Sequence, residues 1–94
     1  PIRLRVRPLS LEPISLVRFV RYDSVNKVWV TIGEDEQEPY QVYLNPADLN
    51  FEWNQVNAYA FDLARDTASI QKAIFIYRRG SVYRFYLPAA FRRP

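Results

Sequence analysis

Between residues 73 and 87 the chain interleaves Phe75, Tyr77, Tyr83, Phe85 and Tyr86 with Arg78, Arg79 and Arg84. Rings set among guanidinium groups on a sheet can stack bases while the cations meet phosphates. Tyrosine and arginine are also the residue types enriched where proteins bind proteins. Further arginines stand at the amino end (Arg3, Arg5, Arg7), at Arg18, and at the carboxyl end (Arg92, Arg93). The candidate binding surface is therefore Arg3, Arg5, Arg7, Arg18, Tyr77, Arg78, Arg79, Tyr83, Arg84, Tyr86, Arg92 and Arg93. Eleven of the thirteen cations are arginine, which favours planar, bidentate and ring-stacked contacts over merely hydrated charge.

Catalytic and metal chemistry have few residues to work with. The chain contains no histidine, cysteine or methionine, so it lacks an imidazole base, a thiol nucleophile and the usual zinc ligands. No serine has a histidine to activate it. Two glycines, Gly33 and Gly80, are too few for a phosphate-cradling loop. The acids Glu34, Asp35, Glu36 and Glu38 lack the alternating frame of a calcium loop and are expected to be an exposed, solubilising stretch. No catalytic residue, metal site or cofactor is expected.

The net charge of +3 conceals a segregation. Residues 1–33 balance to +4, residues 34–66 to −7 and residues 67–94 to +6. Such a chain can fold its acidic middle against its own basic ends, present a basic surface to an anionic partner, or join neighbouring copies through opposite charges.

The elements that must carry these residues are strands. In 94 residues, 49% hydrophobic and 16% aromatic, there is material for one core, and the composition is not that of a disordered chain. Alternation marks 2–7, where Ile2, Leu4 and Val6 oppose Arg3, Arg5 and Arg7. Strands are also expected at 14–22, 27–32 (closed by Gly33), 40–44, 55–63, 73–77 and 82–87. Asp23 to Asn26 has turn chemistry, and Gly80 suits the left-handed position of a hairpin loop. Asn45 and Pro46 predict a helix start, giving a brief helix over 46–53. Residues 64–72 read as a loop or one or two helical turns. Trp29, Phe61, Phe75 and Phe85 are expected in the core.

The reading is an all-β domain over 1–94, a small barrel or sandwich of six to seven mostly antiparallel strands with one or two helical turns. Its ends, 1–13 and 88–94, are expected to be arm-like. The order of strands 14–22, 27–32 and 40–44, a helix, then 55–63 and 73–77 resembles that of an OB-fold, with 2–7 and 82–87 as additions. Pro1 followed by Ile2 and a strand also resembles the tautomerases, whose terminal proline amine acts as a base. That family needs a β-α-β unit, whereas 14–32 reads as a hairpin, so an enzyme is not expected.

In the terminal hairpin both alternating faces are apolar, and a strand apolar on both faces must be covered twice. In a chain this small the second cover can be another chain. The expected function is a non-enzymatic binding or assembly module, working through protein contacts or as a subunit of a larger complex such as a viral or phage particle. The alternative is a single-stranded nucleic-acid binder using Arg and Tyr on its strands. No membrane span is expected, since no apolar run nears about 20 residues; a soluble, intracellular or virion-associated setting follows.

Overall fold

Strict alternation makes Ile2–Val6 a strand (β1) whose Leu4 and Val6 are buried and whose Arg3 and Arg5 are exposed. The computed structural model of the chain describes residues 1–7, 13–62 and 68–86. Six further strands follow: β2 (Ile14–Asp23), β3 (Val28–Asp35), β4 (Tyr40–Leu44), β5 (Glu52–Asp62), β6 (Ala68–Arg79) and β7 (Val82–Tyr86). A single 3-10 turn, Pro46–Asp48, is the only helical element among the described residues. Every strand pairing is antiparallel.

The strands form two layers. β1 and β4 make a two-stranded sheet, and β3-β2-β5-β6-β7 make a five-stranded one. The all-β sandwich is therefore present, but the barrel is not. Closure would require β4 to join the large ladder, and instead it pairs with β1, Leu4 opposite Val42 and Val6 opposite Tyr40. The order that resembles an OB-fold thus does not produce its closed sheet. Part of the expected amino-terminal arm is likewise built into a layer, since Leu4 and Val6 belong to the core. Residues 8–12 and 88–94 lie outside the described residues.

The core sits between the layers. The small sheet supplies Leu4, Val6, Tyr40, Val42 and Leu44, and the large one Val17, Phe19, Val56, Ala58, Ala60 and Ile76. Size alternates across the β2–β5 register: Phe19 faces Ala58 and Val17 faces Ala60. Small residues on β5 leave the space that Phe19, wholly buried, occupies.

Local chemistry explains the turns. The Asp23 carboxylate takes the Asn26 side-chain amide at 2.8 Å and the backbone N–H groups of Val25 and Asn26, which together hold it below the usual carboxylate range. Lys27 follows in the left-handed region at φ 57°. Gly80 occupies the same region at φ 61°, as the β6–β7 loop requires. Gly33 serves differently. It lies inside β3 rather than at its end, and a Cβ there would stand 3.0 Å from the Val42 Cγ1 of the opposing layer.

Three further expectations are corrected. The helix over 46–53 is only the 3-10 turn, capped as foreseen by Asn45 Oδ1 accepting the Ala47 N–H at 3.0 Å. β5 starts at Glu52, where its ladder with β6 begins opposite Arg78, and Asn50 and Asn54 brace that start. Asn54, 2% exposed, donates to the carbonyls of Asn50 (2.9 Å) and Ile76 (3.2 Å) and accepts the Asn50 N–H at 2.6 Å. The Asn50 side chain in turn donates to the Tyr22 carbonyl at 2.9 Å. Finally, residues 68–72 are the beginning of β6, drawn into strand by the β5 ladder from Phe61–Ala68 onward. Residues 63–67 lie outside the described residues.

The Asn50–Asn54 clasp ties three strands together, and cutting it leaves buried amide groups unpaired. Asn54→Ala is expected to lower unfolding free energy by about 2–3 kcal/mol in a urea titration, against less than about 0.5 kcal/mol for the exposed control Thr31→Ala.

Candidate binding surfaces

Strand parity sorts the candidate residues onto different faces. On β6 and β7 the register places Ile76 beside Phe85 and Arg78 beside Tyr83, both pairs on the inner face. Tyr77 beside Arg84, Phe75 beside Tyr86 and Arg79 beside Val82 share the outer face. Arg18 is on the outer face too, beside Tyr59. Arg3, Arg5 and Arg7 belong to the other layer, exposed on the side away from the core. Arg92 and Arg93 lie outside the described residues. The residues that the sequence groups as one surface therefore form at least two, on opposite sides of the sandwich, with Arg78 and Tyr83 facing inward.

Arg78 is committed to the fold. Its Nη1 donates to the Leu49 carbonyl at 2.8 Å, its Nε to the Gly80 carbonyl at 3.2 Å, and its guanidinium stacks 4.6 Å from the Phe51 ring centroid. It pins the segment after the 3-10 turn to the terminal hairpin. Arg18 is partly engaged: it pairs with Glu34, the one ion pair among the described residues, and lies 4.7 Å over the Phe61 ring. Half-exposed on both sides, that pair is worth little to stability. The acidic stretch is likewise not all free loop. Glu34 and Asp35 end β3, and Asp35 accepts the Gln41 N–H at 3.0 Å and the Gln37 N–H at 3.2 Å.

The outer face of the large sheet is the most distinctive surface. Trp29 faces Tyr22, Gln55 faces Phe75, and Phe75 faces Tyr86. Since Arg21 faces Val56, the next residues along, Tyr22 and Gln55, are neighbours as well. One row thus reads Trp29, Tyr22, Gln55, Phe75, Tyr86 across all five strands. The adjoining row holds Trp53, Tyr77 and Arg84. Trp53 meets Tyr77 edge-on at 5.0 Å and Tyr86 at 5.1 Å, and Tyr22 meets Trp29 at 5.3 Å. Below the first row the polar side chains link along β5, Gln55 donating to Asn57 and Asn57 to the Tyr59 hydroxyl.

The aromatics that the composition assigns to the core lie outside it, on either face of the large sheet. Trp29 is 47% exposed, Trp53 54% and Phe85 54%, while Phe61 and Phe75 are only partly covered. The core is filled chiefly by aliphatic residues, with Phe19 and Tyr40 its only aromatics among the described residues. Trp53 falls within 46–53, whose Asn-Pro start predicts helix, so its place on a sheet face is hidden in the sequence. The available signal was the alternation of β5 itself, with Asn54, Val56, Ala58 and Ala60 against Trp53, Gln55, Asn57, Tyr59 and Phe61.

Two concavities accompany the candidates. A cavity of about 510 Å³ is lined by Tyr77, Arg79, Val82, Arg84 and Tyr86. Another, about 790 Å³, lies at the end of β1 and is lined by Arg5, Val6, Arg7, Glu38, Pro39 and Tyr40. On the small sheet Arg5 Nε donates to Gln41 at 3.3 Å, and Arg3 stands opposite the exposed Tyr43. Among the described residues no three of His, Cys, Asp and Glu gather as a metal site, and no helix is long and apolar enough to cross a membrane. Comparison with protein-family models, with curated proteins and with solved structures finds no match.

Burial pushes the Tyr40 hydroxyl above the ordinary tyrosine range, with Glu38 and Asp35 adding to the shift. The neutral hydroxyl is favoured by folding, so its contribution to stability is complete below the ordinary value of 10.0 and lost as pH rises through the raised one. Alkaline titration followed by tyrosinate absorbance is expected to show a late component that disappears in Tyr40→Phe.

Proposed function

We propose that this chain is a non-enzymatic assembly module whose copies join through the edges of the large sheet. The observation that carries the reading is the contrast between its two outer strands. β3 and β7 each lack a hydrogen-bonded neighbour on one side among the described residues. Free strand edges offer unpaired backbone groups to another chain, and proteins that remain monomeric protect them with charge, proline or a cover. Here both edges carry half-exposed apolar side chains, Val28 and Trp29 on β3, Val82 and Phe85 on β7.

Charge distinguishes the two edges. β3 runs into Glu34, Asp35, Glu36 and Glu38, whereas β7 carries Arg84 and is preceded by Arg79. Opposite edges of opposite charge favour a contact of β7 on one copy with β3 on the next over β7 with β7. Such a contact is heterologous, and repeating it gives a ring or a filament. The partner is thus a second copy of this chain.

Sedimentation velocity over a range of concentration and salt tests this reading. Association that weakens with salt is expected. Phe85→Lys on one edge and Val28→Lys on the other should each weaken it roughly tenfold or more, by removing apolar burial and placing charge at the seam. A wild-type chain that stays monomeric at high concentration, or association that neither variant alters, would overturn it.

A further inference from the structure

We propose that the outer-face groove beside Trp53, lined by Tyr77, Arg79, Val82, Arg84 and Tyr86, binds single-stranded nucleic acid. The groove shares Arg79, Val82 and Arg84 with the β7 edge, but the edge test residues Val28 and Phe85 do not line it, so the two readings fail separately.

Three observations converge on that ligand. The first is a ring platform that is wet. Trp53 is more than half exposed and meets Tyr77 and Tyr86 edge-on, contacts that restrict its indole without covering it. A ring fixed before binding loses little freedom when a base stacks on it, and stacking is insensitive to which base arrives.

The second is the placement of charge. Arg84 stands in the same row as Tyr77 and Trp53, and Arg79 two residues along β6 from Tyr77, all on one face. Same-face neighbours along a strand are about 7 Å apart and neighbouring strands about 5 Å. The two guanidinium groups therefore flank the rings at distances that a nucleotide backbone can bridge while its bases rest on Trp53 or Tyr86. Arginine suits this role, because its planar head meets phosphate oxygens in pairs.

The third is the absence of competing acid. No carboxylate lines the groove, and neither Arg79 nor Arg84 has an ion-pair partner among the described residues. Arg18 and Arg78 illustrate the contrast: one is paired with Glu34, and the other is occupied by backbone carbonyls. The arginines of the small sheet make a second basic surface, but one whose cavity contains Glu38 and whose only exposed ring among the described residues is Tyr43. Charge alone would not separate the two surfaces; the Trp53 cluster does.

Fluorescence anisotropy with a dye-labelled oligothymidylate across a salt series tests the site. If two phosphates are held, a fourfold rise in salt should weaken binding about sevenfold. Arg79→Ala with Arg84→Ala should flatten that salt dependence, and Trp53→Ala should weaken binding at least about fivefold through lost stacking. Arg3→Ala with Arg5→Ala should leave both unchanged. Should Trp53→Ala not fold, Trp29→Phe leaves Trp53 as the sole tryptophan, and its emission should be quenched by the oligonucleotide. The proposal is overturned by no binding at low salt, by unchanged Trp53 emission at saturation, or by loss confined to the Arg3 and Arg5 variant. It is equally overturned if polyphosphate competes as well as the oligonucleotide while Trp53→Ala has no effect. Groove variants that alter self-association and not oligonucleotide binding would give this face to a protein contact instead.

Discussion

The fold depends on the packing of a two-stranded sheet against a five-stranded one. An isolated two-stranded ladder is marginal in water, so β1 and β4 persist because Leu4, Val6, Tyr40, Val42 and Leu44 lose their water against Val17, Phe19, Val56 and Ile76. Close approach makes that exchange effective, and Gly33 permits it: the space a side chain would take is filled by Val42. Two strands, however, cover one face of the larger sheet. The other face keeps its aromatic rows in contact with solvent, and the edges of the large sheet are free among the described residues because its ladder does not close.

Covering one side also decides which arginines can meet a partner. Inward parity takes Arg78 to the Leu49 carbonyl and the Phe51 ring, where it serves the fold. Outward parity leaves Arg79 and Arg84 beside Tyr77 and Tyr86. Successive residues of one strand thus do different work, because a single step along a strand reverses the direction of the side chain. The buried Asn54 fits the same logic. It is a polar residue on the inner face, kept there because its amide pairs with backbone groups that a sheet cannot satisfy where a strand begins after an irregular turn.

Local chemistry was legible from the residues alone. The alternation of 2–7 and of the terminal hairpin, the Asp23 turn, the Asn45 cap and the left-handed Gly80 each involve residues within a few positions of one another. Their physics is complete over that distance. Trp29 and Phe85 were misplaced by the same reasoning, because preference for the interior is a property of the residue type, whereas burial depends on whether another layer exists to cover it.

The sequence by itself determined that the chain is all-β, where most strands and turns lie, and that imidazole and thiol chemistry are absent. Only the tertiary structure decided the pairing of β1 with β4 in place of a closed barrel, the extension of β6 back to Ala68, the position of Gly33 within a strand, and the division of the arginines among faces. Each of these rests on contacts between different strands, such as Ile2 with Leu44 or Gly33 with Val42. Periodicity specifies that a strand has two faces; the partner that covers one of them specifies which is the surface.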